Sequence, residues 1–134
     1  MRKKVKHFKG IIPPMVTPLL SGKRIDRSGT ERLVDHMLQG GVHGVFVLGT
    51  TGEGPSIDFE MKKELIALVC ERISGKIPVL VGITDTSFNE SIRLADFSRE
   101  QGVDAVVAAP PYYFPSGQAE LFEYVTHLVK ELPL

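Results

Sequence analysis

The sequence predicts an α/β chain of four consecutive βα units with parallel strands. Three observations carry that prediction. Four short apolar runs recur at intervals of roughly 30 residues, the length of one βα unit. None alternates between apolar and polar residues as a strand with one wet face does, and continuous runs suit parallel strands covered on both sides. An amphipathic helical pattern follows each run, and a helical crossover is the simplest link between parallel strands.

The first run, Gly10 to Val16, is the weakest strand, because Pro13 and Pro14 cannot donate to a ladder. A helix follows from about Ser28, with Leu33, Val34, Met37 and Leu38 on one face and a stop at Gly40-Gly41. The second run, Gly44 to Leu48, leads to a helix capped by Asp58 that buries Leu65, Ile66, Leu68, Val69 and Ile73 before Gly75. The third, Pro78 to Ile83, precedes Ser87-Phe88-Asn89-Glu90, which fits a capping box opening a helix with Ile92, Leu94, Ala95 and Phe97 inward. The fourth, Ala105 to Ala109, is followed after Ser116-Gly117 by a helix presenting Leu121, Phe122, Val125, Leu128 and Val129. Leu132-Pro133-Leu134 then resembles the approach to a fifth strand.

With 134 residues, 43% apolar and 24% charged, the chain has the size and composition of one globular domain, 1–134. Its formal net charge is zero, which gives no electrostatic case for nucleic acid. Only residues 1–9 are biased, as a basic segment expected to be solvated. No apolar run reaches the roughly 20 residues of a membrane span. Cys70 is the only cysteine, so no intrachain disulfide can form, and a reducing cytoplasm fits. It falls among apolar helix positions, which favours packing over reactivity. His7, His36, His43 and His127 are scattered, so no metal site is expected.

The stretch after the second run, Gly49-Thr50-Thr51-Gly52-Glu53-Gly54, fits neither phosphate fingerprint. Its glycine spacing is wrong for a dinucleotide loop, and Pro55-Ser56 stands where Walker A needs Lys-Ser/Thr. Adjacent hydroxyls and main-chain N–H groups at the carboxyl end of a parallel strand suit a small carboxylate. The residues alone equally allow a tight loop whose threonines satisfy the local backbone. Glu53 is expected to fix the turn by hydrogen-bonding backbone.

"GTTGE" (Gly49 to Glu53), "VTP" (Val16 to Pro18) closing the first run and "PPYY" (Pro110 to Tyr113) closing the fourth resemble, in order and spacing, the dihydrodipicolinate synthase and N-acetylneuraminate lyase family. The resemblance covers essentially the whole chain. It implies the first four βα units of a TIM (β/α)8 barrel and a pyruvate-dependent class I aldolase or lyase without a further cofactor. It implies that Thr51 holds the pyruvate carboxylate and that Thr50 belongs to a proton relay. Tyr113 would complete that relay by reaching into a neighbouring subunit, with Tyr112 at the interface of a homo-oligomer. Phe114 and the loop Gly82 to Ser87 depart from the synthase pattern. The resemblance therefore carries neither lysine feedback regulation nor one particular aldehyde or sugar-acid partner.

The family's Schiff-base lysine lies on the sixth barrel strand and must sit in a partly desolvated pocket. Lys3, Lys4, Lys6 and Lys9 belong to the basic terminus, Lys23 and Lys76 to loops, and Lys62, Lys63 and Lys130 to polar helix positions. None meets the requirement, so the chain is expected to be an amino-terminal half that lacks catalysis alone. The alternative is a non-enzymatic half-barrel that binds a ligand or assembles. A flavodoxin-like binding domain is a third arrangement and needs a fifth strand. Four units of an eight-unit barrel would leave open edges near Ile11 and Val106. They would also uncover Met15, Phe46, Leu48, Val81 and Val107.

Overall fold

The computed structural model describes residues 7–133. Most of the basic opening segment, residues 1–6, and Leu134 lie outside the described residues. Three parallel strands form the sheet, in the order β3 (Val45–Val47), β4 (Val79–Gly82), β5 (Ala105–Val107). Ahead of them stands a small antiparallel hairpin of β1 (Leu19–Leu20) and β2 (Arg24–Ile25). Among the described residues four α-helices alternate with the sheet strands: α1 (Arg27–Gln39), α2 (Phe59–Ile73), α3 (Phe88–Glu100) and α4 (Gln118–Glu131).

The first predicted strand does not form as one. Gly10 to Val16 runs parallel beside β3, but only Pro14 bridges to it, opposite Phe46. Phe46 donates to the Pro13 carbonyl at 3.1 Å and Met15 donates back to the Phe46 carbonyl at 2.8 Å. Two consecutive prolines remove the donors that would continue the ladder, so the run keeps its position and loses its regularity. The β1–β2 hairpin is not visible in the apolar pattern. Its three-residue turn, Ser21 to Lys23, sets Ser21 and Gly22 at the positive φ values 51° and 65°, so Ser-Gly is the available signal.

Caps set the helix starts. Asp26 Oδ1 accepts from the Gly29 N–H at 2.9 Å and begins α1 slightly earlier than the apolar pattern alone suggests. Asp58 Oδ1 accepts from Met61 at 2.9 Å, as expected. At α3, Ser87 Oγ accepts from Glu90, but the reciprocal half of the capping box is absent. The Ser87 N–H donates to Asp85 Oδ1 at 2.9 Å, and Glu90 pairs instead with Arg93.

The core lies between the sheet and α1–α3. Val34, Val45, Val47, Leu65, Ile66, Val69, Val81 and Ala95 are fully buried there. Register explains the faces. Val47, Val81 and Val106 share a row that meets the helices, whereas Phe46, Leu80 and Ala105 share the opposite row. Val81, expected on the open side, is therefore a helix-facing core residue, and Leu80 takes the opposite position. Met15 and Leu48 are also covered, at 2% and 5% exposure, while Phe46 and Val107 are half-buried.

Cys70, on α2, packs against this core. Burial, reinforced by the Asp104 carboxylate, pushes its thiol up to about 11. At pH 8 only about one molecule in a thousand then carries the reactive thiolate. A thiol reagent at pH 8 should leave Cys70 essentially unmodified until denaturant is added. Rapid stoichiometric modification of the native chain would show that the site opens.

Candidate functional site

The three sheet strands end together, and the segments leaving them enclose a cleft of about 410 Å³. Thr50 comes from the turn after β3, Thr84 from the segment after β4, and Ala109, Pro110 and Tyr112 from the segment after β5. Phe46, Leu48 and Val107 form its apolar floor. This is where parallel α/β folds gather ligand-binding groups, because loops diverge there from a rigid sheet.

The turn is shaped by close backbone approach. Leu48 takes φ 59°, a left-handed conformation that costs a non-glycine residue about 1–2 kcal/mol and ends β3 sharply. Its carbonyl oxygen lies against the Cα atoms of Gly54 and Gly82, where any side chain would collide. Gly52 also lies close to main chain, that of Met15 and Leu48. Glu53 donates its N–H to Thr50 O at 3.0 Å, and its own carbonyl accepts from Ser56 at 2.9 Å. Glu53 thus fixes the turn through its main chain, at φ 56°, and not through its carboxylate. From below, the buried Thr17 of VTP donates its hydroxyl to the Gly52 carbonyl at 2.6 Å. That bond links the proline-rich first segment to the turn across 35 residues of sequence. Thr17 has a motif to mark it, but its partner is seen only in three dimensions.

Thr50 and Thr51 make no side-chain hydrogen bond among the described residues, and their main-chain N–H groups donate to nothing there. Both are exposed, Thr50 toward the cleft, and Thr51 is not part of the cleft wall. Strained backbone accompanies the site: Leu48, Glu53 and Tyr113 all have positive φ, and such strain concentrates where geometry is functionally constrained.

The tyrosines separate. Tyr112 enters the cleft wall, while Tyr113, at φ 82°, is 84% exposed and stacks edge-on against Phe114 at 4.9 Å. Partial burial, and then the Asp85 carboxylate, hold the Tyr112 phenol above its ordinary pKa, so it stays protonated at neutral pH. The structure brings Thr50 and Tyr112 to one cleft and leaves Tyr113 outside it. Thr84, not singled out from sequence, lines the cleft, and its Oγ1 accepts from the Ala109 N–H at 2.8 Å. Among the described residues no cluster of His, Cys, Asp and Glu could hold a metal, and no helix is long and apolar enough to cross a membrane.

Lys62 also departs from expectation. It is not a solvated helix position but buried, with its Nζ 3.6 Å from Asp85 Oδ2. Its site on α2 follows the apolar period closely enough to turn inward, a signal that its charge obscures.

The Dihydrodipicolinate synthetase family model matches residues 7–134. The chain is 36% identical over 126 residues to 4-hydroxy-tetrahydrodipicolinate synthase of Thermus thermophilus, covering 94% of this chain and 42% of that protein. The dihydrodipicolinate synthase structure from Bacteroides thetaiotaomicron superposes with a TM-score of 0.90 at 51% identity, covering 95% of this chain and 43% of the other. YagE from Escherichia coli K12, a prophage protein of the dihydrodipicolinic acid synthase family solved in complex with pyruvate, gives 0.89 at 31% identity. That alignment covers 95% of this chain and 43% of YagE. The chain thus spans less than half the length of the relatives it matches.

Proposed function

Because the chain belongs to the Dihydrodipicolinate synthetase family, we propose that its cleft is the amino-terminal share of a pyruvate-dependent lyase or aldolase site. The observation that carries this reading is the pair of threonines at the carboxyl end of β3 whose hydroxyls and N–H groups have no hydrogen-bond partner among the described residues. Thr51, on the same turn but outside the cleft wall, and the adjoining main chain are assigned the carboxylate of a 2-oxo acid; that the related YagE was solved in complex with pyruvate supports such a ligand. Thr50 faces the reacting carbon side and passes protons. Tyr113, projecting from its own cleft, serves a neighbouring subunit's site, and its 84% exposure supports that reading.

Among the described residues no lysine lines the cleft. Lys62 is engaged by Asp85. The reading therefore assigns the Schiff-base lysine to the part of the fold that the longer relatives carry and this chain does not span. On this reading residues 1–134 supply the turn and the cleft, and not the lysine. The second substrate, an aldehyde or a sugar-acid fragment, is not fixed by the turn.

The test uses the chain complemented by the carboxyl-terminal part of a family relative, in a pairing that restores activity. Thr51→Val removes a hydroxyl and keeps the shape. Loss of a hydrogen bond to a charged group costs about 1.5–3 kcal/mol, so pyruvate affinity should fall roughly ten- to a hundredfold. Unchanged affinity would return the turn to a purely local role.

A further inference from the structure

We propose that Lys62 is a positioning residue for the cleft: the ion pair of its buried ammonium with the half-buried Asp85 holds the β4–α3 segment so that Thr84 and Tyr112 keep their places in the cleft wall. The proposal rests on the reading of that cleft as the site.

Lys62 is an unfavourable choice for its own helix. It lies in the opening turns of α2, where the helix dipole disfavours a cation, and its side chain is only 8% exposed. Burying an ammonium is costly, and an apolar residue of similar volume would commonly serve stability as well or better. A residue that breaks local rules at the edge of a cleft points to a role in geometry.

The partner explains that geometry. Asp85 follows β4, and its two carboxylate oxygens have different tasks. Oδ2 meets Lys62, while Oδ1 accepts the Ser87 N–H at 2.9 Å and so ties the start of α3. Thr84, immediately before Asp85, receives the Ala109 N–H and so joins the segments after β4 and β5. Asp85 also acts electrostatically on Tyr112. One buried cation on α2 is thereby connected to both walls of the cleft, through contacts between elements far apart in sequence. Lys63, its neighbour, does something different. It pairs with Glu60 at 3.0 Å and packs over the Phe59 and Phe97 rings, and among the described residues it bonds nothing on the cleft segments.

The test is Lys62→Met, which keeps the stem and removes the charge. The readouts are the titration of Tyr112, followed by ¹³C-labelled tyrosine in a Tyr113→Phe/Tyr124→Phe background, and amide exchange at Ser87 and Ala109. With Asp85 no longer neutralised, the Tyr112 titration should move upward. Ser87 and Ala109 should exchange about tenfold faster, as local opening becomes easier. A helix-stabilising role alone would alter α2 amides and leave Tyr112 unmoved. A folded Lys62→Met with unchanged Tyr112 titration and unchanged exchange overturns the proposal. If that variant does not fold, Lys62→Gln is read by the same two measurements with the same criteria. Neither measurement involves pyruvate, so the outcome is separable from failure of the proposed function.

Discussion

Gly82→Ala should destabilise the fold by about 3 kcal/mol, and Gly54→Ala by a similar amount, since overpacking of this kind typically costs about 1–3 kcal/mol and here has little relief. A methyl group at either position would overlap the Leu48 carbonyl oxygen, and at Gly82 also the carbonyl carbon. The obstacle is backbone, not the end of a flexible side chain, and Leu48 is already held in a left-handed conformation. Relief would require β3 and β4 to separate, or the turn bearing Thr50 and Thr51 to unwind. For a domain of this size the midpoint of thermal unfolding should fall by roughly 10 °C, measured at fixed protein concentration so that association does not confuse the comparison. Gly40→Ala is the control, because its φ is −70° and the nearest atom to an added methyl, the His36 carbonyl oxygen, is 3.3 Å away. If Gly82→Ala melts like the parent, the close approach that shapes the turn is not present in solution.

The chain by itself should not behave as a compact monomer at micromolar concentration. On α4 the apolar face is largely unpartnered: Phe122, Val125 and Val129 are 74%, 50% and 64% exposed. Only Leu128 of that helix is buried. Tyr113, Phe114, Ile11 and Val16 are also exposed apolar groups. Among the described residues the sheet ends on one side at β5, paired only with β4, and on the other at the irregular Gly10–Val16 segment. Fully burying one large apolar side chain contributes about 1.5–3 kcal/mol, so covering several of these outweighs the entropic cost of association. Exposed apolar faces and open strand edges are templates for pairing. Sedimentation velocity should show dimers or larger species. A Phe122→Lys/Val129→Lys variant should shift the distribution toward monomer. A monodisperse monomer with a sharp, cooperative melt would refute this and favour a self-sufficient small domain. Association that creates ligand binding without further chain would favour a half-barrel module over a share of an enzyme site.

Several features are legible in the residues themselves. The spacing of apolar runs and amphipathic segments reveals four units, because strand and helix periodicities are local properties of the chain. Asp58 and Ser87 announce helix starts, since a cap acts over three residues. The motif GTTGE points to the turn that the structure finds at a strand end. Local chemistry also shows that the first run is defective as a strand, through Pro13 and Pro14.

Other features require partners distant in sequence. A strand covered on both faces has no alternation to read, so only the register Val81↔Val106 and Leu80↔Ala105 decides that Val81 meets the helices. The pattern of α4 resembles that of α2, yet α2 is buried and α4 is not, because burial depends on what lies opposite. Thr50 and Thr51 are chemically alike and adjacent, but the turn's backbone directs only Thr50 into the cleft wall. Lys62 carries a charge that reads as solvated until Asp85, 23 residues later, is found 3.6 Å away. Local residue patterns suffice for the elements and for the location of the turn. Faces, partners and burial emerge only on folding, because each of those energies belongs to a contact between segments and not to either segment alone.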